Sequence, residues 1–162
     1  MKLLVAGIGN IFLGDDAFGV EVVKRLAEHS LPADVTVVDF GIRAYDLAYA
    51  LMEDWDLVIL VDALPRGAEP GTLYTLEAEL PEGEAPSTLD AHSMNPVAVL
   101  QLVRALGGRW GRLLVVGCEP ATIEPDEQGH MGLSEPVSAA VEKAIRVVEH
   151  LIVRARSEAA AA

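Results

Sequence analysis

The chain has 162 residues, 51% hydrophobic and 23% charged, which suits one globular domain with a full core and excludes a disordered protein. Twenty-five acids against 12 Lys and Arg leave a formal charge of −13. The basic clusters that a phosphate backbone or an anionic bilayer requires are missing, so neither nucleic acid nor membrane is an expected partner.

The opening run, "MKLLVAGIGN", is about one strand long and lacks the apolar region and cleavage site of a signal peptide. No stretch approaches the roughly 20 apolar residues that span a bilayer, so a cytoplasmic location is expected. Residues 2–8 read as a buried strand. After it, "GIGNIFLGDDAFG" places Asp15 and Asp16 side by side at the mouth of a strand-to-helix turn. Val20, Val23 and Ala27, widened by Val22 and Leu26, mark the helix that follows. A second strand, "VTVVDF" (35–40), precedes a helix carrying Ala44, Leu47, Ala48 and Leu51. The third strand is "DLVILVDAL" (56–64). The connection "PRGAEPG" is too short for a helical crossover, so the strand "GTLYTLEA" (71–78) is expected to be antiparallel and at an edge. "ELPEGEAPSTLD" (79–90) reads as a mobile loop. A helix with Val99, Leu102, Val103 and Leu106, the strand "RLLVVGCEP" (112–120) and a last helix with Val137, Val141, Ala144, Ile145, Val148, Leu151 and Ile152 complete the chain. Strands apolar on both faces, alternating with amphipathic helices, imply a three-layer α/β/α sandwich around a mostly parallel twisted sheet. It forms one domain over residues 1–156, with a frayed tail at 157–162.

In open parallel sheets ligands gather beyond the carboxyl ends of the strands, near the point where strand order switches. Asp16, Asp39 and Asp62 fall there on this reading. A carboxylate closing the apolar run "LVILVDA" is costly to bury unless paired or bound to a cation. His92 in "LDAHSMNPVAVLQLV" sits just before or at the start of a helix, whose dipole disfavours imidazolium and leaves a neutral ligand. Two carboxylates and an imidazole meeting at one rim would suit a divalent transition metal, although the spacing is not a compact metal motif.

Blander readings stand beside these. Asp16 can be a first-turn acid answering the helix dipole, Asp62 an Asx-type turn residue and His92 an ordinary loop histidine. Asp15 is expected to cap the helix by accepting a backbone N–H. Asp39 is expected to hold the "FGIRAYD" loop, and Gly7, Gly9 and Asn10 to serve the turn. The one cysteine, Cys118, excludes an internal disulfide and reads as buried and inert. A dinucleotide-binding module is a competing class, since Gly7 and Gly9 follow a strand and Asp39 ends the next. However, the third glycine of that fingerprint would fall at Phe12.

Four segments, "GIGNIFLGDDAFGVEVV" (7–23), "VDA" (61–63), "HSMNPVAVL" (92–100) and "GCEPATIEP…GLSEPV" (117–137), together resemble the hydrogenase maturation protease family. The likeness runs from residue 2 to about residue 152 in order and at near-constant spacing. It implies an α/β/α endopeptidase without a Ser or Cys nucleophile. Such an enzyme trims the C-terminal tail of the precursor of a nickel–iron hydrogenase large subunit and recognises nickel already installed there. By motif position, the catalytic and metal-contacting residues are Asp16, Asp62 and His92. Some relatives carry Glu at the position of Asp16, and many carry a glycine pair followed by Thr after the second strand. Here that loop reads "DFGIRAYDL", which makes Gly41 and Arg43 the substrate-binding candidates, with Arg43 either solvated or touching the substrate tail. The resemblance implies nickel carried by the substrate, with another divalent metal as a stand-in in isolation; separately, a monomer that pairs transiently with its protein substrate is expected. A metal-binding accessory protein without hydrolytic activity would share every one of these residues.

Overall fold

The computed structural model describes residues 1–79, 95–124 and 131–162. Five strands, β1 (Leu3–Ile8), β2 (Val35–Gly41), β3 (Leu57–Ala63), β4 (Leu73–Glu77) and β5 (Leu113–Cys118), form one sheet in the order β2-β1-β3-β5-β4. β1 pairs parallel with β2 and β3, and β3 with β5, while β4 lies antiparallel to β5 at the edge. The sharp β3–β4 connection thus produces the antiparallel edge strand expected of it.

Alternate residues of each inner strand feed opposite cores, as the two-residue repeat of a strand requires. Leu3, Val5, Leu57, Ile59 and Val61 face α1 (Phe18–Leu26) and α4 (Glu135–Ala161). Leu4, Ala6, Ile8, Val58 and Leu60 face α2 (Ala44–Leu51) and α3 (Pro96–Ala105). This double coverage explains why β1, β3 and β5 are apolar at nearly every position. α3 begins with Asn95, whose side chain accepts the Ala98 N–H at 2.8 Å, followed by Pro96 in the first turn.

The tail expected to fray is helical through Ala161. Its alanines favour helix, Arg154 pairs with Glu158 at 2.8 Å one turn on, and Glu158 also meets Arg112 at 3.1 Å beside β5. Apart from Glu79, the segment read as a mobile loop lies outside the described residues, as do His92 and His130. Among the described residues no helix is long and apolar enough to cross a membrane.

The sheet order places the switch point between β1 and β3. From β1 the chain moves outward to β2, and from β3 to the other side. The carboxyl ends of these two central strands, with the loops leaving them, form the rim where a ligand is expected.

Candidate functional site

The turn after β1 is built by close backbone approach. Gly9 has a φ of +139°, and a Cβ there would lie 1.8 Å from the Asp16 carbonyl oxygen. The Asn10 side chain accepts the Phe12 N–H at 2.9 Å, and Leu13 N–H donates to the Asn10 carbonyl at 3.1 Å. These bonds close the loop into a single 3₁₀ turn, Gly14–Ala17, which runs into α1. Gly19 lets the start of α1 sit on the strand ends, because a Cβ there would meet the Val61 and Ile8 carbonyl oxygens at 2.0 and 2.5 Å. Glycines therefore bring the 3₁₀ turn down onto the end of β3.

That contact sets Asp16 beside Asp62. Asp62 is only 2% exposed, and its Oδ1 is the one fully buried side-chain polar atom without a hydrogen-bond partner among the described residues. Burial pushes its pKa well above the usual carboxylate range; the charge of Asp16 raises it further, and the Ala63 N–H opposes. Asp16 is half-buried. Burial raises its pKa too, opposed by the Asn10 N–H, which donates to Oδ2 at 2.7 Å. Two carboxylates at one rim, one orphaned and each disfavouring the other's charge, are an arrangement that a shared proton or a cation relieves. The donor set fits a divalent ion with further ligands to come. Among the described residues no group of three or more His, Cys, Asp or Glu converges, so any third protein ligand lies elsewhere, and His92 falls outside what is described.

Asp15 does not cap α1. Its carboxylate is fully buried and turns away from that helix. Oδ2 accepts from the Ala121 and Thr122 N–H groups at 2.8 and 3.2 Å and from Ser134 Oγ at 2.8 Å, and Oδ1 accepts the Ser134 N–H at 2.7 Å. No side-chain hydrogen bond caps the turn or α1, whereas the loop after β5 and the entry to α4 present several N–H groups to this carboxylate. Asp15 therefore ties those two segments to the rim.

Glu119, one residue beyond β5, is a further buried acid that sequence reasoning gave no role. It accepts from Tyr74 Oη at 2.7 Å and from the Arg66 and Gly67 N–H groups at 2.8 and 3.0 Å. The Tyr74 hydroxyl, with those backbone amides, lowers its pKa. The signal that singled out Asp62, an acid closing an apolar strand, marks Glu119 as well.

Gly41 (φ +54°) accepts the Gly9 N–H at 3.0 Å, so the loops after β1 and β2 are joined at the rim. Arg43 braces its own loop. It donates to the Asp39 carbonyl, to the Phe40 carbonyl at 3.2 Å and to Asp46 at 3.3 Å, while its side chain stays largely exposed. Asp39 thus holds the loop through its backbone oxygen. Cys118 is buried and its thiol pKa is pushed up to about 12, chiefly by burial, which fits an inert residue. The turn after β1 is also unfit for a dinucleotide phosphate, because the Asn10 N–H is already taken by a carboxylate and Phe12, at the third-glycine position, points out with 65% exposure.

These features define an α/β enzyme with an acidic site at its sheet switch point and no activated Ser or Cys among the described residues. The sequence profile of the hydrogenase maturation protease family matches residues 20–151. The hydrogenase 2 maturation protease of Escherichia coli is 33% identical over 150 residues, covering 91% of this chain and 88% of the relative. Coenzyme F420 hydrogenase subunit delta of Methanothermobacter thermautotrophicus is 33% identical over 153 residues, covering 91% and 92%. The solved structure of the hydrogenase maturating endopeptidase HybD from Escherichia coli superposes with a TM-score of 0.74 at 32% identity, covering 95% of this chain and 93% of that one. The chain belongs to the hydrogenase maturation protease family and is an endopeptidase.

Proposed function

We propose that this endopeptidase removes the C-terminal peptide from the nickel-loaded precursor of a nickel–iron hydrogenase large subunit, and that the substrate's own nickel is what the acidic site reads. The observation that carries this reading is the buried carboxylate of Asp62, whose Oδ1 has no partner, next to the half-buried Asp16. A chain gains nothing in stability from such a pair, and a cation presented from outside offsets the burial and the mutual repulsion together.

In this reading Asp62 is the fixed inner ligand, Asp16 the ligand at the rim, and His92 the third, assigned by motif position. Binding checks that metal is present before the cut, and it places the scissile bond beside the site. A carboxylate oxygen that the ion leaves free can accept a proton from an attacking water. Gly41 and Arg43 line the approach of the substrate, with Arg43 holding its loop in shape. The enzyme acts as a cytoplasmic monomer that pairs transiently with its protein substrate.

The test is to incubate the protein with nickel-loaded and metal-free precursor and to look for the released C-terminal peptide by mass spectrometry. Release from the loaded form alone is the expected result. Equal release from both forms would remove nickel from the recognition step, and release from neither would leave the activity on some other protein.

A further inference from the structure

Beside the rim a groove of about 340 Å³ runs down the flank of the molecule between α1 and the entry to α4. Its lining includes Ala17, Val20, Leu133 and Ser138, the ion pair of Glu21 and Arg25, and Lys24, two helical turns beyond Ala17. Ala17 directly follows Asp16, so the groove begins one residue from the acidic site. From Ala17 to Lys24 is seven residues of nearly continuous helix, about 10 Å at 1.5 Å per residue.

The charges along this groove are unequal. Arg25 is already satisfied by Glu21 at 2.9 Å and Glu142 at 3.3 Å, which also occupies Glu21. Lys24 is exposed and has no carboxylate partner among the described residues. With the other charges of the groove paired to each other, an ammonium lacking a carboxylate partner among the described residues complements a carboxylate arriving along it. A volume of about 340 Å³ holds a few residues of chain and no folded body.

We propose that this groove receives the substrate segment on the C-terminal side of the scissile bond. The segment lies extended, with apolar side chains on Ala17, Val20 and Leu133 and a carboxylate on Lys24. The inference rests on the endopeptidase reading above and deepens it. An extended chain advances about 3.3 Å per residue, so the carboxylate lies about three residues beyond the cut. It belongs either to an acidic side chain or to the chain terminus.

The experiment measures kcat and KM for processing of nickel-loaded precursor by wild type, Lys24→Glu, Ser138→Trp and a control, Lys143→Glu. Lys143→Glu makes the same charge change on the exposed face of α4. The released peptide is then synthesised with a free terminus, with a terminal amide, and with each acid changed to its amide, and its binding is followed by NMR of the Ala17, Val20 and Leu133 amides. Expected are a KM raised about fivefold by Lys24→Glu at nearly unchanged kcat, a similar rise for Ser138→Trp, which fills the groove without altering charge, and wild-type values for Lys143→Glu. The peptide should move all three resonances, and whichever amide form loses the effect identifies the carboxylate. Wild-type KM in both groove variants while the precursor is still cut overturns the proposal and leaves the function standing. So does a concentration-dependent dimer abolished by Ser138→Trp, or seating of this chain's own residues 125–130 in the groove. If wild type leaves the loaded precursor uncut, the function reading fails and takes this proposal with it.

Discussion

Replacing Asp62 by Asn should stabilise the metal-free protein while abolishing its activity. In the wild type a carboxylate 2% exposed must either ionise without a partner for Oδ1 or hold a proton that the unfolded chain would release. The amide carries no charge, so it removes the cost of keeping a buried acid protonated above its ordinary pKa, on the order of the 1–3 kcal/mol of other unsatisfied buried groups. In a chain of this size that corresponds to a melting temperature higher by roughly 3–9 °C. The sign with pH follows from the raised pKa of Asp62. Below about pH 4 the carboxyl is protonated in both folded and unfolded states and contributes no difference. Above that pH the unfolded chain ionises while folded Asp62 keeps its proton, so wild-type stability falls as pH rises until the folded pKa is passed. The gap between variant and wild type should therefore be small at pH 4 and wide at pH 8, in thermal melts run with a chelator present. An Asp62→Asn protein no more stable than wild type at pH 8, or a gap of equal size at pH 4, would refute the reasoning.

Asp15→Ala should cost about 3 kcal/mol or more in urea denaturation, since it strands three backbone N–H groups and the Ser134 hydroxyl. Gly9→Ala should be destabilised by several kcal/mol and lose processing, because its Cβ would meet the Asp16 carbonyl oxygen at 1.8 Å. Gly107→Ala, at φ +74° with nothing within 4 Å of the added Cβ, should lose only about 1–2 kcal/mol. Glu119 has a lowered pKa, so its contribution is present above the unfolded value near 4.3 and is lost as pH falls through the folded value. Glu119→Gln should therefore flatten the acid limb of a melting-temperature profile taken from pH 7 downward. His92→Ala should fold normally and fail to process the nickel-loaded precursor; processing at the wild-type rate would reject its assignment.

What could be read from the sequence was what a residue's own neighbours dictate. The apolar run of β3 made Asp62 conspicuous, and the strand-to-helix turn put Asp16 at the same end of the sheet. The short β3–β4 connection fixed the direction of the edge strand. Asp15 was misread because its partners lie 106 to 119 residues away, where no local pattern points, and a cap on the adjacent helix was the nearest local use for it. Glu119 carried the same strand-end signal as Asp62. Its distant bonds to the Tyr74 hydroxyl, 45 residues earlier, and to the Arg66 and Gly67 amides distinguish an acid satisfied by donors from one left waiting. The end of α4 is also contacted from distant elements that no local pattern reveals, Arg112 meeting Glu158 and Asp34 meeting Arg156 just ahead of residues 157–162.

The central claim, that Asp16, Asp62 and His92 grip one ion, can be measured directly with cadmium as a diamagnetic stand-in for nickel. Cadmium is titrated into the isotope-labelled protein while the aspartate carboxyl-carbon and histidine ring-nitrogen resonances are followed by NMR. The account predicts that the carboxyls of Asp16 and Asp62 and one ring nitrogen of His92 shift in a single saturable transition, with scalar coupling between that nitrogen and the metal. Carboxyl shifts at Asp16 and Asp62 with an unmoved His92 ring, or saturation at other carboxylates altogether, would contradict it.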